Sequence, residues 1–338
     1  MAIYRNNLPQ LRGKLFITDG RMETTFRLLE GMELPERAVF PALEKPGGGD
    51  AIRRWYRTYT AIARRFQAGI ILESVTWRAS PDWGARLGYT KAMLADVNRR
   101  SIELLEEIRA EVEQHAGPIV ISGCIGPRGD DAHQSGARIS DLEAERYHRE
   151  QIDVLARTDA DMICAIALMN VEEAIGIAHA AERAGMPVAL SFTVEDDGRL
   201  PTGEPLKSAL DRVDTVTGFY PLYFMVDCAH ALNLGPVFAV HEPWMDRIRG
   251  VRANSWTEYP TQLAQQWSEL KRALPSLNIV GVGCGMDQQH LEEIARLCST
   301  EGARRVQNTA REGQAGFRAV SSETAVFRAP SLGSGFDG

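Results

Sequence analysis

The sequence contains no run approaching the roughly 18 consecutive apolar residues of a membrane span. Its first residues, Met1-Ala2-Ile3-Tyr4-Arg5, form no apolar signal segment, so a cytoplasmic location is the expectation. Basic residues are not in excess: 38 Lys and Arg stand against 45 Asp and Glu, a formal net charge of −7. That balance argues against a general nucleic-acid binder, which needs a basic surface to displace counterions. Five cysteines (Cys124, Cys164, Cys228, Cys284 and Cys298) are too few and too scattered for a disulfide scaffold. Reduced thiols that pack, bind metal or react suit them better. The first apolar run ends in Gly20-Arg21-Met22-Glu23-Thr24, which is not a glycine-rich dinucleotide turn.

What the chain does have is an alternation. Eight short apolar runs read as buried parallel strands: Lys14–Gly20, Ile70–Trp77, Ile119–Gly126, Met162–Leu168, Val188–Val194, Leu222–Ala229, Ile248–Ser255 and Ile279–Gly285. Between them the spacing is helical. Ile52, Trp55, Tyr59, Ile62 and Phe66 recur at steps of three and four, with Asp50 as the expected N-cap. Ser140 and Glu143 have capping-box spacing, and Asn170 is placed to cap the segment that ends at Gly185. Eight strand-then-helix units in about 300 residues predict an α/β fold, a single-domain (β/α)8 TIM barrel over residues 1–300. Residues 301–338, rich in Gly, Ser and Arg, read as a C-terminal extension, frayed or exchanged as an arm within a homo-oligomer.

Barrel chemistry sits at the C-terminal ends of strands. Those ends carry Asp19-Gly20, Glu73, Cys124, Ile166, Thr193, Asp227-Cys228, Asn254-Ser255 and Gly283-Cys284-Gly285. Cys228 and Cys284 are either two thiolates able to hold a soft metal such as zinc, or small buried fillers. Asp19 and Glu73 close apolar runs where an unpaired charge is costly. They are functional, or they pair with an arginine such as Arg21 or Arg78. Gly281, Gly283 and Gly285 suit a phosphate cradle or a close backbone approach. His230 is a ligand, a base or a structural residue. Trp77, Trp83 and Trp256 either wall a pocket or fill the barrel top.

Taken together, the segments resemble the homocysteine S-methyltransferase family. Thr18-Asp19-Gly20-Arg21-Met22-Glu23-Thr24 is similar to its Asp-Gly-x-Met-Gly-Thr, and Glu73-Ser74-Val75-Thr76-Trp77-Arg78-Ala79-Ser80 to its Glu-Thr-Asn-Thr-Tyr-x-Ala-Ser. Gly123-Cys124-Ile125-Gly126-Pro127 resembles Gly-Ser-Ile-Gly-Pro, and Arg252-Ala253-Asn254-Ser255 resembles Tyr-x-Asn-Ser. Asp227-Cys228 stands at the family's Asn-Cys, and Gly281-Val282-Gly283-Cys284-Gly285 at Gly-Gly-Cys-Cys-Gly. The resemblance implies methyl transfer from a methyl donor to a small thiol, homocysteine or a relative, at a zinc–thiolate site. It assigns Cys228 and Cys284 to the metal; with Gly283 in place of the third cysteine, His230 is the first choice to complete the site, and Asp227, Cys124 or a water are the alternatives. Asp19, Glu73 and Asn254 become the catalytic set. Gly20, Thr24, Trp77, Asp227 and Ser255 become substrate contacts. The departures imply a divergent acceptor: the family glutamate that holds the homocysteine amino group aligns with Ile166, the second-strand Asn is Val75, and Glu23 replaces a glycine. Two alternatives stay open: a metal-free lyase or hydrolase using Asp19, Glu73 and Asp227 as acid and base, and a non-catalytic ligand-binding homologue.

Overall fold

Eight parallel strands pair in sequence order, and β8 returns to β1, closing a barrel. The computed structural model describes residues 1–20, 22, 26, 33–112, 117–129, 139–228, 237–238, 240–253, 266, 269–283 and 288–299, with 228 and 253 described in backbone only. The strands are β1 (Phe16–Thr18), β2 (Gly69–Glu73), β3 (Ile119–Ile125), β4 (Met162–Leu168), β5 (Val188–Val194), β6 (Tyr223–Cys228), β7 (Ile248–Ala253) and β8 (Ile279–Val282). Each coincides with an expected run, and several are shorter. β2 stops at Glu73, so Ser74 to Trp77 belong to the loop that follows it. The expected extension 301–338 lies outside the described residues.

The helices are α1 (Gly48–Arg65), α2 (Pro81–Arg86), α3 (Lys91–Val112), α4 (Asp141–Ala156), α5 (Val171–Arg183), α6 (Leu206–Thr217) and α7 (Gln288–Cys298). In α1, Ile52, Tyr56, Tyr59, Ile62 and Ala63 form the buried stripe. Its N-cap is Gly47, at φ 74°, and not Asp50, which falls inside the first turn. There the carboxylate faces the positive end of the helix dipole. The other two caps stand as read: Ser140 Oγ accepts from the Glu143 N–H at 3.3 Å, and Asn170 Oδ1 from the Glu173 N–H at 2.8 Å. Among the described residues, no helix is long and apolar enough to cross a membrane.

The barrel interior is filled by Phe16, Ile71, Val120, Met162, Cys164, Ala189, Tyr223, Met225 and Ile279. Its N-terminal end is plugged by the turn Pro9–Arg12. The buried Gln10 amide donates to Tyr223 Oη at 3.4 Å, and Asn278 Nδ2 donates to the Gln10 carbonyl at 2.8 Å. Below β4, Asp161 accepts from Arg109 at 2.8 Å, from the Ile121 N–H at 2.9 Å and from the Tyr4 N–H at 2.7 Å. This carboxylate is fully buried, so removing it strands the Arg109 charge and two amides. Asp161→Ala is expected to lower stability by about 3–5 kcal/mol, read by urea unfolding. A loss under about 1 kcal/mol would show that water replaces the carboxylate. With one end sealed, access to the interior is from the C-terminal mouth.

Candidate active site

Four charged side chains from four strands converge at that mouth, each less than a tenth exposed: Asp19 just after β1, Glu73 at the end of β2, Asp227 on β6 and Arg252 on β7. Asp227 and Arg252 are register partners, which puts both side chains on one face of the sheet. Arg252 Nη1 lies 3.6 Å from Asp227 Oδ1. Its Nη2 donates to the Glu73 carboxylate, and its Nε to Thr18 Oγ1 at 3.4 Å. The guanidinium therefore reaches from β7 to β2. That reach needs an empty position on β8. Gly281 is opposite Arg252, and a Cβ there would stand 2.3 Å from Thr18 Oγ1 and 2.8 Å from Arg252 Cγ. For Gly281 the close-approach reading holds.

The remaining contacts fix the carboxylates. Asp227 Oδ2 accepts from the Ala167 N–H at 2.9 Å. Ala167 has φ 59°, and the β4–β5 register shifts between Ala165 and Leu168. The Asp227 bond thus holds a strained bulge, whose neighbour Ile166 lines the cavity. Asp19 Oδ1 accepts from the Glu73 N–H at 3.2 Å, and the Tyr56 hydroxyl donates to the Glu73 carbonyl. Cys124 and Cys164 are register partners on β3 and β4, both buried, and burial pushes both thiols well up, with the Glu73 charge adding to it. They are protonated thiols beside the site.

Burial raises the Asp19 carboxyl well above the usual carboxylate range, and the nearby Glu73 charge raises it further. Burial also raises Glu73, but the Arg252 guanidinium pulls the other way. Of the pair, Asp19 is therefore the more readily protonated, because the Arg252 guanidinium opposes the rise more strongly at Glu73. The sign follows from linkage. A carboxyl with a raised folded pKa contributes stability at low pH that is lost as pH rises through that pKa. Asp19→Asn keeps the neutral form at every pH. Its stability relative to the parent protein is expected to improve as pH rises from the ordinary carboxylate range through the raised Asp19 pKa, read by urea unfolding across pH. A pH-independent difference would contradict the assignment.

A cavity opens over these groups, with about 680 Å³ of empty space when the open solvent at its mouth is counted in. Of the residues expected on substrate or in catalysis, Asp19, Gly20, Glu73, Trp77 and Asp227 line it. Cys228 is placed in backbone only, one residue beyond Asp227 at the end of β6. Thr24, His230, Asn254, Ser255 and Cys284 lie outside the described residues. The arginine paired with Glu73 is Arg252; Arg21 lies outside the described residues. Trp83 does not line the cavity: it is buried in α2 and donates to the Pro127 carbonyl at 3.3 Å. Trp256 lies outside the described residues. Arg252 itself was missed as a site residue. Its signal was present, a charge inside the apolar run Ile248–Ser255, two residues before Asn254.

The sequence matches the homocysteine S-methyltransferase family model over residues 16–298. No curated protein matches it. Among solved structures, it is similar to the homocysteine methyltransferase MmuM from Escherichia coli. The metallated form superposes with a TM-score of 0.66 at 19% identity, covering 83% of this chain and 96% of that one. The oxidised form gives a TM-score of 0.68 at 20% identity, covering 84% and 98%.

Proposed function

This chain belongs to the homocysteine S-methyltransferase family, and from that premise we propose that its cavity binds a small thiol and methylates it beside a metal held by Cys228 and Cys284. The family match across the whole barrel carries this reading, and it favours transfer over the lyase and binding-only alternatives. An S-methyltransferase breaks the S–H bond of its acceptor and forms an S–CH₃ bond. The bond between the methyl group and the donor breaks, and its electron pair stays on the donor. Here the thiol proton leaves through the open cavity to solvent.

The donors suit zinc. Two thiolates with an imidazole, Cys228, Cys284 and His230, are a donor set that catalytic zinc accepts with its fourth position open. Cys228 ends β6 at the mouth, next to the cavity-lining Asp227, and Gly283 is buried after β8 without a donor atom. Among the described residues, no three His, Cys, Asp or Glu side chains are grouped to hold a metal, so the set depends on Cys284 and His230. Bound zinc would supply a preference for the thiolate form of the acceptor at neutral pH.

The chain's own residues do the positioning. Asp19, which lines the cavity, is placed to hydrogen-bond the acceptor or the donor. Glu73 and Asp227, locked by Arg252, keep the floor rigid and hold the reacting groups in line. Val75, Ile166 and Val282 line the cavity with aliphatic surface and exclude water. Asn254 and Ser255, next in sequence after β7, are assigned to the same reaction by the family resemblance. The test is direct. Protein purified without added zinc is assayed for metal, then incubated with homocysteine or simple thiols and a panel of methyl donors. Bound zinc and a thioether product are expected. No thioether from any combination would end the proposal.

A further inference from the structure

β2 and β3 pair backbone to backbone as far as Glu73 and Ser122, and the Ser74 N–H still reaches the Ser122 carbonyl at 2.9 Å. Beyond that point side chains take over. The Cys124 N–H donates to Ser74 Oγ at 2.9 Å, and Thr76 Oγ1 donates to the Cys124 carbonyl at 2.7 Å. The two hydroxyls lie 2.6 Å apart. A hydroxyl has one proton to give. Thr76 gives its own to Cys124, so the short contact is Ser74 donating to Thr76. Every direction in the ring is then fixed: Cys124 to Ser74, Ser74 to Thr76, Thr76 back to Cys124. All three residues are buried, where such bonds reinforce one another and a missing member leaves a polar group unpaired.

The same loop is held from the helix side. Gln151 of α4 donates to the Thr76 carbonyl at 2.8 Å and to Asn98 Oδ1 at 3.0 Å, and Ser101 Oγ of α3 accepts from the Val75 N–H at 3.0 Å. Thr76, gripped from β3 and from α4, does not line the cavity; its neighbours Val75 and Trp77 do. Trp77 packs against the chain just past β3, where a Cβ on Gly126 would stand 2.4 Å from its Nε1.

We propose that Thr76 is a positioning residue. Through its hydroxyl, the ring sets where Val75 and Trp77 stand, and with them one wall of the cavity. The consequence for turnover rests on the methyl-transfer reading: a wall held still keeps thiol and methyl donor in line, and a loosened one lets them spread over unproductive poses.

Two substitutions separate the hydroxyl from the bulk of the side chain. Thr76→Val keeps the shape and breaks the ring; Thr76→Ser keeps the hydroxyl. The first readout needs no turnover. The six tryptophans are replaced by 5-fluorotryptophan, and the Trp77 signal is assigned in the fluorine NMR spectrum by its loss in Trp77→Phe. That signal is expected to move in Thr76→Val and to keep the parent position in Thr76→Ser. The second readout is kinetic, taken well below the melting temperature, where a loss of stability alone leaves kcat unchanged. Thr76→Val is expected to lower kcat at least about tenfold with KM changed less than about threefold, and Thr76→Ser to keep both within about twofold. Should Thr76→Val not fold, Ser74→Ala removes the other hydroxyl and is read in the same way. An unmoved Trp77 signal, a parent-like kcat in Thr76→Val, or a Thr76→Ser as impaired as Thr76→Val would overturn the proposal. If the parent protein methylates no thiol, the methyl-transfer reading falls, and the fluorine signal still decides whether the ring sets the wall.

Discussion

Arg252→Met is expected to lower stability by about 3–5 kcal/mol and to abolish measurable methyl transfer. The guanidinium is the cation that the described contacts place between Glu73 and Asp227, and all three groups are almost fully buried. Methionine fills much of the volume but leaves two carboxylates facing each other in a low-dielectric interior. They must then take up protons or admit water, and either change moves the floor of the cavity. Arg252→Lys keeps the charge but not the fork that spans three strands, so it should recover only part of the loss. The decisive measurement is a double-mutant cycle. If the penalty is an uncompensated charge, adding Glu73→Gln to Arg252→Met should restore a substantial part of the stability and none of the activity. A single-variant loss below about 1 kcal/mol would show that Arg252 is dispensable to the floor.

Cys228→Ala is expected to cut turnover by about a thousandfold or more and to yield protein with little bound zinc. The argument is the donor count. With Gly283 in place of a cysteine, this chain brings two thiolates to the proposed site, and losing one leaves a set too poor to hold the ion or tune the bound sulfur. The fold should survive, because the change removes a small group at a strand end. Metal content by mass spectrometry, read beside turnover and the melting curve, separates the outcomes. Parent protein treated with a chelator should match the variant and recover on adding zinc, while the variant should not. Parent-level metal and turnover in Cys228→Ala would remove the metal–thiolate proposal.

The barrel was readable from the chain because strand burial is a local pattern. Met162–Leu168 appears as a continuous apolar run, and Val188–Val194 as a run broken only by Ser191 and Thr193, both at the bounds the structure shows. Ser140 and Asn170 announce their helices because a cap acts over three residues. Asp50 misled for the same reason: a carboxylate near a helix start fits the first turn as well as the cap, and the chain reversal at Gly47 came earlier.

At the mouth of the barrel the same locality explains both success and failure. Asp19 and Glu73 stood out because a charge that closes an apolar run contradicts its surroundings, and this contradiction is visible within a few residues. The cation that resolves it is not local. Arg252 is 179 residues from Glu73 in the chain. Their meeting depends on barrel closure, on register pairing with Asp227 and on the gap left by Gly281. The pairing of Cys124 with Cys164 likewise arises from inter-strand register. A strand's own residues determine that it is buried. How far a long side chain reaches, and what it finds there, is set by the diameter and stagger of the closed sheet, to which every strand contributes.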